Sequence, residues 1–262
     1  MLTLDSIQRK SLLYKSGVEY ADYCLNHIEG CAHGCKYPCY AFLMKKRCGI
    51  IKTYEQWCQP KIVSNAMELL NKEIPRLKNK IIYVHMCFST DPFMYQHNEI
   101  TELSLKIIHE LNSHNIPVTT LTKGITPEEL THYDEKSFVK NGYGITLVSL
   151  DEKFRKEYEP NTAPYNQRIN ALKILHDNGC MTYVSIEPYP TPNLIKQDLK
   201  DILDAVQFVD KIIFGRMNYS RMVTEFSEYK EFYNKLALFV IDYCKKKGIE
   251  WHIKEGTIIN LI

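Results

Sequence analysis

Cys31, Cys35 and Cys39 recur at four-residue intervals in the segment 26–42, which reads NHIEGCAHGCKYPCYAF. Thiolates are soft ligands suited to iron–sulfur clusters and to zinc. The small neighbours Gly30, Ala32 and Gly34 would let the backbone wrap closely around such a centre. Three thiols within nine residues, with little apolar sequence around them, are poorly explained as packing residues. Two metal chemistries stay open from the residues alone. A structural zinc would need a fourth ligand, which His27, His33, Cys24, Cys48 or Cys58 could supply. A 4Fe-4S cluster on three thiolates would instead leave one iron open to an outside ligand.

Such a centre needs a scaffold, and from about residue 80 the chain alternates short β-branched runs with longer amphipathic stretches. Residues 81–87 (IIYVHMC), 116–122 (IPVTTLT), 143–150 (YGITLVSL), 180–187 (CMTYVSIE) and 209–215 (VDKIIFG) are each too short for a helix and read as strands. Residues 249–254 extend the series after Gly248 closes a long helix, and 20–27 precede it. In 99–114, Leu103, Ile107 and Leu111 lie four apart; in 165–178, Ile169, Leu172 and Leu175 lie three apart. Each segment therefore has one apolar helical face. Thr126-Pro127-Glu128-Glu129 has the cap, proline and early acids of a helix start, and 64–76 and 225–247 add further helices.

The pattern is a right-handed parallel β/α array of about seven units, whose functional loops belong at the carboxyl ends of the strands. It predicts a single α/β domain over 1–262: an N-terminal extension (1–17), a core barrel (about 18–215) and a C-terminal helix and strand (216–262). Lys and Arg total 33 against 31 Asp and Glu, so the net charge of +2 carries no bulk signature of polyanion binding. Basic stretches at 45–47, 72–80 and 245–247, with 18 tyrosines, leave room for a local nucleic-acid contact. An odd count of nine cysteines without an export signal favours metal ligation over disulfides. With no apolar run long enough to span a membrane, a cytoplasmic location is expected.

The run N-x-x-x-G-C-x-H-x-C-x-Y-x-C-Y-A resembles the cluster loop of the radical S-adenosylmethionine (SAM) superfamily, in its spore photoproduct lyase-like branch. The usual spacing there is C-x3-C-x2-C followed by Tyr-Ala. Here the spacing is C-x3-C-x3-C, with one extra residue, most simply Pro38, which predicts a bulged loop. The resemblance runs over about two-thirds of the chain, from Asn26 to Pro190. It implies a partial (β/α)6-type radical SAM barrel with parallel strands and an extra C-terminal strand. It also implies a 4Fe-4S cluster on Cys31, Cys35 and Cys39, and SAM as cofactor.

Further matches follow from the same resemblance. Cys87-Phe88-Ser89-Thr90-Asp91-Pro92-Phe93 is similar to the branch's S-T-D-P-Y segment, so Ser89, Thr90 and Asp91 would receive the SAM amino group. Lys123 would face its carboxylate, Ser149 would reach the ribose, and Tyr40 would lie near the adenine. Arg168, nine residues after Glu159, would clamp the carboxylate or pair with Glu159. Glu187-Pro188 reads as a fixed loop. Cys87 stands near the place where spore photoproduct lyases carry a hydrogen-donating cysteine, one position out of register, and is otherwise a buried strand thiol.

The implied activity is reductive cleavage of SAM to a 5'-deoxyadenosyl radical that abstracts hydrogen from a nucleic acid, peptide or small molecule. A reductant such as flavodoxin or ferredoxin would be needed. Lyase-like DNA repair is the narrower alternative, and a non-catalytic zinc or iron–sulfur protein is the competing class.

Overall fold

A computed structural model of the chain describes residues 4–18, 22–132 and 140–259. In chain order its strands are β1 (Ser6–Ile7), β2 (Leu13–Lys15), β3 (Tyr23–Leu25), β4 (Ile28–Glu29), β5 (Lys61–Val63), β6 (Val84–Met86), β7 (Val118–Thr122), β8 (Gly142–Thr146), β9 (Met181–Tyr189), β10 (Lys211–Arg216) and β11 (Glu250–Ile253). The α-helices are α1 (Tyr40–Arg47), α2 (Tyr54–Trp57), α3 (Ala66–Leu77), α4 (Asn98–Ser113), α5 (Glu152–Tyr158), α6 (Tyr165–Asp177), α7 (Leu199–Ala205), α8 (Arg221–Thr224) and α9 (Tyr229–Lys247).

Eight strands form one sheet in the order β11-β10-β9-β8-β7-β6-β3-β2. Every pairing from β3 to β11 is parallel, and only β2 runs antiparallel, against β3. This is the expected parallel partial barrel with its extra C-terminal strand, open between β2 and β11. Buried apolar residues of the strands (Val84, Val118, Val184, Ile212) share one core with Ile107 and Leu111 of α4 and Leu172 of α6. Each contributes roughly 1.5–3 kcal/mol by leaving water. The other face is more polar. The Tyr183 ring lies on Gly144, where a Cβ would sit 2.4 Å from it, and the Tyr183 hydroxyl donates to the Thr120 carbonyl at 2.7 Å.

Several strands start later than the apolar runs that predict them, as β6 (Val84–Met86) does within 81–87, whereas β8 starts one residue before its run, at Gly142. For the segment 20–27 the strand is Tyr23–Leu25, and residues 20 and 21 lie outside the described residues. The helix expected at Thr126 enters instead through a 3-10 turn over Glu128–Leu130, because Pro127 takes an extended conformation (ψ 137°) at the cap. The helix expected over 225–247 starts only at Tyr229, as α9, after the separate short helix α8 ends at Thr224 and the chain turns at Phe226, whose carbonyl accepts from the Tyr229 amide at 3.0 Å. Gly248 closes α9 in the left-handed region, as its position predicts (φ 71°).

A second sheet, β1-β5-β4, is too short to show in sequence periodicity. It pairs β4 antiparallel to β5, so residues 30–60 form an excursion clamped at its base. The three cysteines lie on that excursion, beyond the carboxyl end of β3. Among the described residues no helix is long and apolar enough to cross a membrane.

Candidate active site

The cysteine loop is tied down mainly through its backbone. Gly30 has φ +88°, and a Cβ there would stand 2.7 Å from the Trp57 carbonyl oxygen and 3.0 Å from that of Gln59. Next to it the Cys31 amide donates to the same Trp57 carbonyl at 2.8 Å. The Ala32 amide meets the Met94 sulfur at 3.2 Å, and the Ala32 carbonyl accepts from the Asn161 side chain at 3.0 Å. Gly34 is left-handed at φ +62° and packs on Asn161 and Pro160. The Lys36 amide donates to the Tyr158 carbonyl at 2.8 Å, the Tyr54 hydroxyl donates to the Cys35 carbonyl, and Cys39 caps α1. Replacing Gly30 with alanine is expected to cost roughly 1–3 kcal/mol of backbone strain. The expected result is a lower denaturant midpoint together with reduced iron uptake, read by absorbance after reconstitution.

The three thiols are free and partly buried. Burial pushes the Cys31 thiol well up, and the nearby Cys35, Asp91 and Cys39 charges add to that. Burial likewise raises Cys35, to about 12; Lys123 lowers it while Glu159 and Cys39 raise it. Holding Cys31 and Cys35 as thiolates therefore requires a cation beside them. A bound metal centre would supply that charge. Among the described residues no three His, Cys, Asp or Glu side chains are gathered around a single ion-sized point. The donor set and the glycine cradle fit an iron–sulfur cluster.

The candidate fourth ligands have other tasks. His33 is buried; its Nε2 accepts from the Tyr95 amide at 3.2 Å, which leaves the proton on Nδ1, 3.5 Å from Asp91 Oδ2. It braces the loop against β6 and β7. The Ser104 hydroxyl donates to the Pro92 carbonyl at 2.6 Å, so it accepts from His27 Nε2–H at 2.8 Å. His27 Nδ1 then receives the Cys87 S–H at 3.5 Å. Burial lowers His27 to about 3 and raises Cys87 to about 12, so both stay neutral. Cys87 packs with Ile28, Met94 and Ile100, which gives it the place of a buried thiol. Burial raises the Cys24 thiol, which lies beside Tyr14, and the Cys58 thiol, which lies beside Tyr54, while Cys48 is exposed at the end of α1.

The strand-end residues meet beside this loop. Asp91 Oδ1 accepts from the Phe93 amide (2.9 Å) and the Thr122 hydroxyl (2.6 Å), and Oδ2 accepts from the Lys123 amide (2.7 Å). Asp91 therefore stitches the turn after β6 to the end of β7, and its carboxylate is engaged rather than open. Ser89 is partly exposed; its hydroxyl donates to Asn26 Oδ1 at 3.0 Å. Thr90 presents a buried hydroxyl without a hydrogen-bond partner among the described residues. The Tyr40 ring is half-exposed and its hydroxyl donates to the Phe88 carbonyl, bridging the start of α1 to the Ser89 turn.

Lys123 pairs with Glu159 Oε1, and its ammonium lies 4.9 Å over the Tyr37 ring, which stacks on Tyr158. Glu159 Oε2 accepts from Arg168 Nη2 at 3.0 Å, with both side chains fully buried. Arg168 also donates to the carbonyls of Ala163 (2.9 Å) and Thr146 (2.9 Å) and to the Thr162 hydroxyl. Of its two expected roles Arg168 takes the second, pairing with Glu159. Ser149 is fully buried and accepts from the Asp151 amide at 3.0 Å, at the start of α5. Sequence named Glu159 only as a possible partner of Arg168, not as the hub that also holds Lys123, and did not single out Asn161 as the loop's clamp. Glu159 carried a signal in its Glu-Pro step and its spacing to Arg168, whereas Asn161 carried none.

Fold and site define an open parallel β/α barrel with a three-thiol loop at the carboxyl ends of its strands. The chain belongs to the radical SAM superfamily, whose family model matches residues 25–206. It is 26% identical over 227 residues to the uncharacterized protein MJ0683 of Methanocaldococcus jannaschii, covering 86% of this chain and 81% of that one. It is 23% identical to the uncharacterized protein ORF301 of Acidianus two-tailed virus, with 78% and 70% covered. Among solved structures it shares the fold of spore photoproduct lyase complexed with dinucleoside spore photoproduct (TM-score 0.68, 14% identity, 95% of this chain and 81% of that one). A variant of that lyase with bound AdoMet and dinucleoside spore photoproduct superposes with TM-score 0.67 at 13% identity, covering 95% and 80%.

Proposed function

We propose that this protein is an enzyme that reductively cleaves SAM at a 4Fe-4S cluster and uses the product to take hydrogen from a substrate held on the concave face of the barrel. The gathering of Cys31, Cys35 and Cys39 in one glycine-cradled loop at the strand ends carries this reading. When bound, the cluster and SAM supply a 5'-deoxyadenosyl radical.

The chain's own residues bind and orient. Cys31, Cys35 and Cys39 hold the cluster. Ser89, at the end of β6 and fixed by Asn26, offers an accessible oxygen acceptor for an ammonium. Asp91 acts beside it by holding both the turn and the Lys123 backbone. Lys123 presents a cation for a carboxylate, and Glu159 keeps that cation in place and charged. Burial would lower the Lys123 pKa, but the Glu159 carboxylate outweighs burial and raises it. Tyr40 closes the rim between α1 and Phe88.

Anaerobic reconstitution is expected to load about four irons and about four sulfides per chain. Reduction in the presence of SAM should then release 5'-deoxyadenosine, measured by chromatography. One tightly held zinc without sulfide would overturn the reading. Transfer of deuterium into 5'-deoxyadenosine from labelled nucleic-acid, peptide or small-molecule pools would identify the substrate class.

A further inference from the structure

A serine hydroxyl has one proton to give and lone pairs with which to receive, and where the proton goes decides what kind of ligand its oxygen can meet. Ser89 follows β6 and is only partly buried. Its proton goes to Asn26. Asn26 Oδ1 accepts from the Ser89 hydroxyl at 3.0 Å and from the Ser89 backbone amide at 3.2 Å. A backbone amide can only donate, so it holds the oxygen rather than the nitrogen of the Asn26 side chain toward Ser89. That oxygen can only accept, so the hydroxyl must donate to it. Ser89 Oγ is left with lone pairs to offer on its open side.

Asn26 is itself held in place. It is buried, its Nδ2 donates to the Tyr14 hydroxyl on β2, and its backbone carbonyl accepts from Arg9 Nη1 at 2.7 Å. Arg9 is fixed in turn by Asn65, whose Oδ1 accepts from the Arg9 amide at 3.1 Å and whose Nδ2 donates to the Arg9 carbonyl at 2.9 Å. Just ahead of Tyr14, Glu73 receives the Leu12 amide at 3.0 Å and the Leu13 amide at 2.7 Å. Arg9 and Tyr14 both precede residue 25, where the superfamily match begins. The N-terminal segment thus reaches the strand-end site through one buried amide.

We infer that Asn26 is a positioning residue that makes Ser89 a pure acceptor, so that the amino-acid head of SAM binds with its ammonium at Ser89 and its carboxylate at Lys123, and not the reverse. The inference rests on the function proposed above. An ammonium carries only donors and a carboxylate only acceptors. Outward lone pairs on Ser89 suit the first and repel the second, while the Lys123 ammonium, held by Glu159, does the opposite. Without the Asn26 amide the Ser89 hydroxyl could turn its proton outward and meet either end of the head. Arg9 and Tyr14 act one step further back, by fixing Asn26.

The test measures binding of SAM, and of its analogue lacking the amino group, to the anaerobically reconstituted full-length protein by calorimetric titration. Asn26→Ala is expected to weaken SAM about tenfold, the size of one hydrogen bond to a charged group, and to leave the analogue within about twofold. An aspartate can accept from the Ser89 amide and hydroxyl and from the Tyr14 hydroxyl, so Asn26→Asp should keep the native preference for SAM. In a Ser89→Ala background, Asn26→Ala should cost nothing further. Tyr14→Phe, which removes only the outer anchor, should lower the preference by about threefold and decides the question where Asn26→Ala fails to fold. Iron content should match the native chain throughout. Equal weakening of SAM and the analogue would mean that Asn26 merely shapes the loop, and would overturn the inference. So would an unchanged preference in Asn26→Ala, or in Tyr14→Phe where that variant decides. A native chain that takes up its irons yet binds neither compound would sink the proposed activity, and this role with it; a native chain that binds SAM with no preference lost on substitution sinks the role alone.

Discussion

Replacing Cys39 with alanine is expected to abolish cluster retention and SAM cleavage while the protein still folds. Groups that merely orient a metal's ligands typically cost 10–100-fold when removed, so loss of a ligand should cost about a hundredfold or more in iron affinity or activity. The extra residue in the loop makes this variant the most informative of the three. Tyr37 is buried against Phe154 and Tyr158, so Pro38 must carry the chain from that anchor to the cap of α1. Cys39 arrives there with φ −75° and ψ 107°, an extended cap conformation that places it at the helix start. Removing its thiol leaves the backbone bonds of the loop intact. Melting temperature should therefore move little, while absorbance from the cluster and 5'-deoxyadenosine release are lost. Cys48→Ala and Cys58→Ala are the controls. Cys58 lies near enough to feel the Cys39 charge, so a cluster that survives Cys39→Ala but not Cys58→Ala would move the third ligand there.

Glu159→Gln should give the largest loss of stability. Burial pushes the Glu159 carboxyl up, but Lys123 and Arg168, through their charges and hydrogen bonds, outweigh that and hold it down at about 2. Taking away the charge strands a buried guanidinium and a mostly buried ammonium. Breaking a buried pair of this kind costs about 3–5 kcal/mol. For a chain of this size each kcal/mol corresponds to roughly 2–4 °C, so calorimetry should show a melting temperature lower by about 10 °C. The pH dependence has a definite sign. Because the folded carboxyl titrates below its unfolded value of roughly 4.3, its contribution is complete above that value. It is lost as the pH falls toward about 2. The native protein should lose stability across that window, and the glutamine variant should lack this part of the loss. An unchanged melting temperature would mean that the triad is not the anchor of the β7–α6 side of the site.

Short-range chemistry made much of the scaffold legible. Leu103, Ile107 and Leu111 marked α4, Leu172 and Leu175 marked α6, and Gly248 marked the end of α9, because helical period and left-handed caps are local properties. The short strands β1, β4 and β5 were not legible, since two or three residues carry no period. The same holds for α5, whose start depends on Asp151 accepting from the Lys153 amide and on Glu152 accepting from Arg155 and from the Tyr165 amide.

The cysteine triplet shows where the boundary falls. Its spacing, with glycines between, was enough to indicate a soft-metal loop, and the flanking residues were enough to indicate the superfamily. Ligand type and sequence spacing are properties of one segment. Which polar groups remain free to meet a ligand was decided only in three dimensions. Asp91 and Ser149 follow strands as expected and Arg168 lies on α6, and the structure gives each of them protein partners that the sequence did not indicate: Thr122 and the Lys123 amide, the Asp151 amide, and Glu159 with Thr162. A buried polar atom must find a partner or lose free energy, and that partner is chosen by tertiary packing rather than by its place in the sequence.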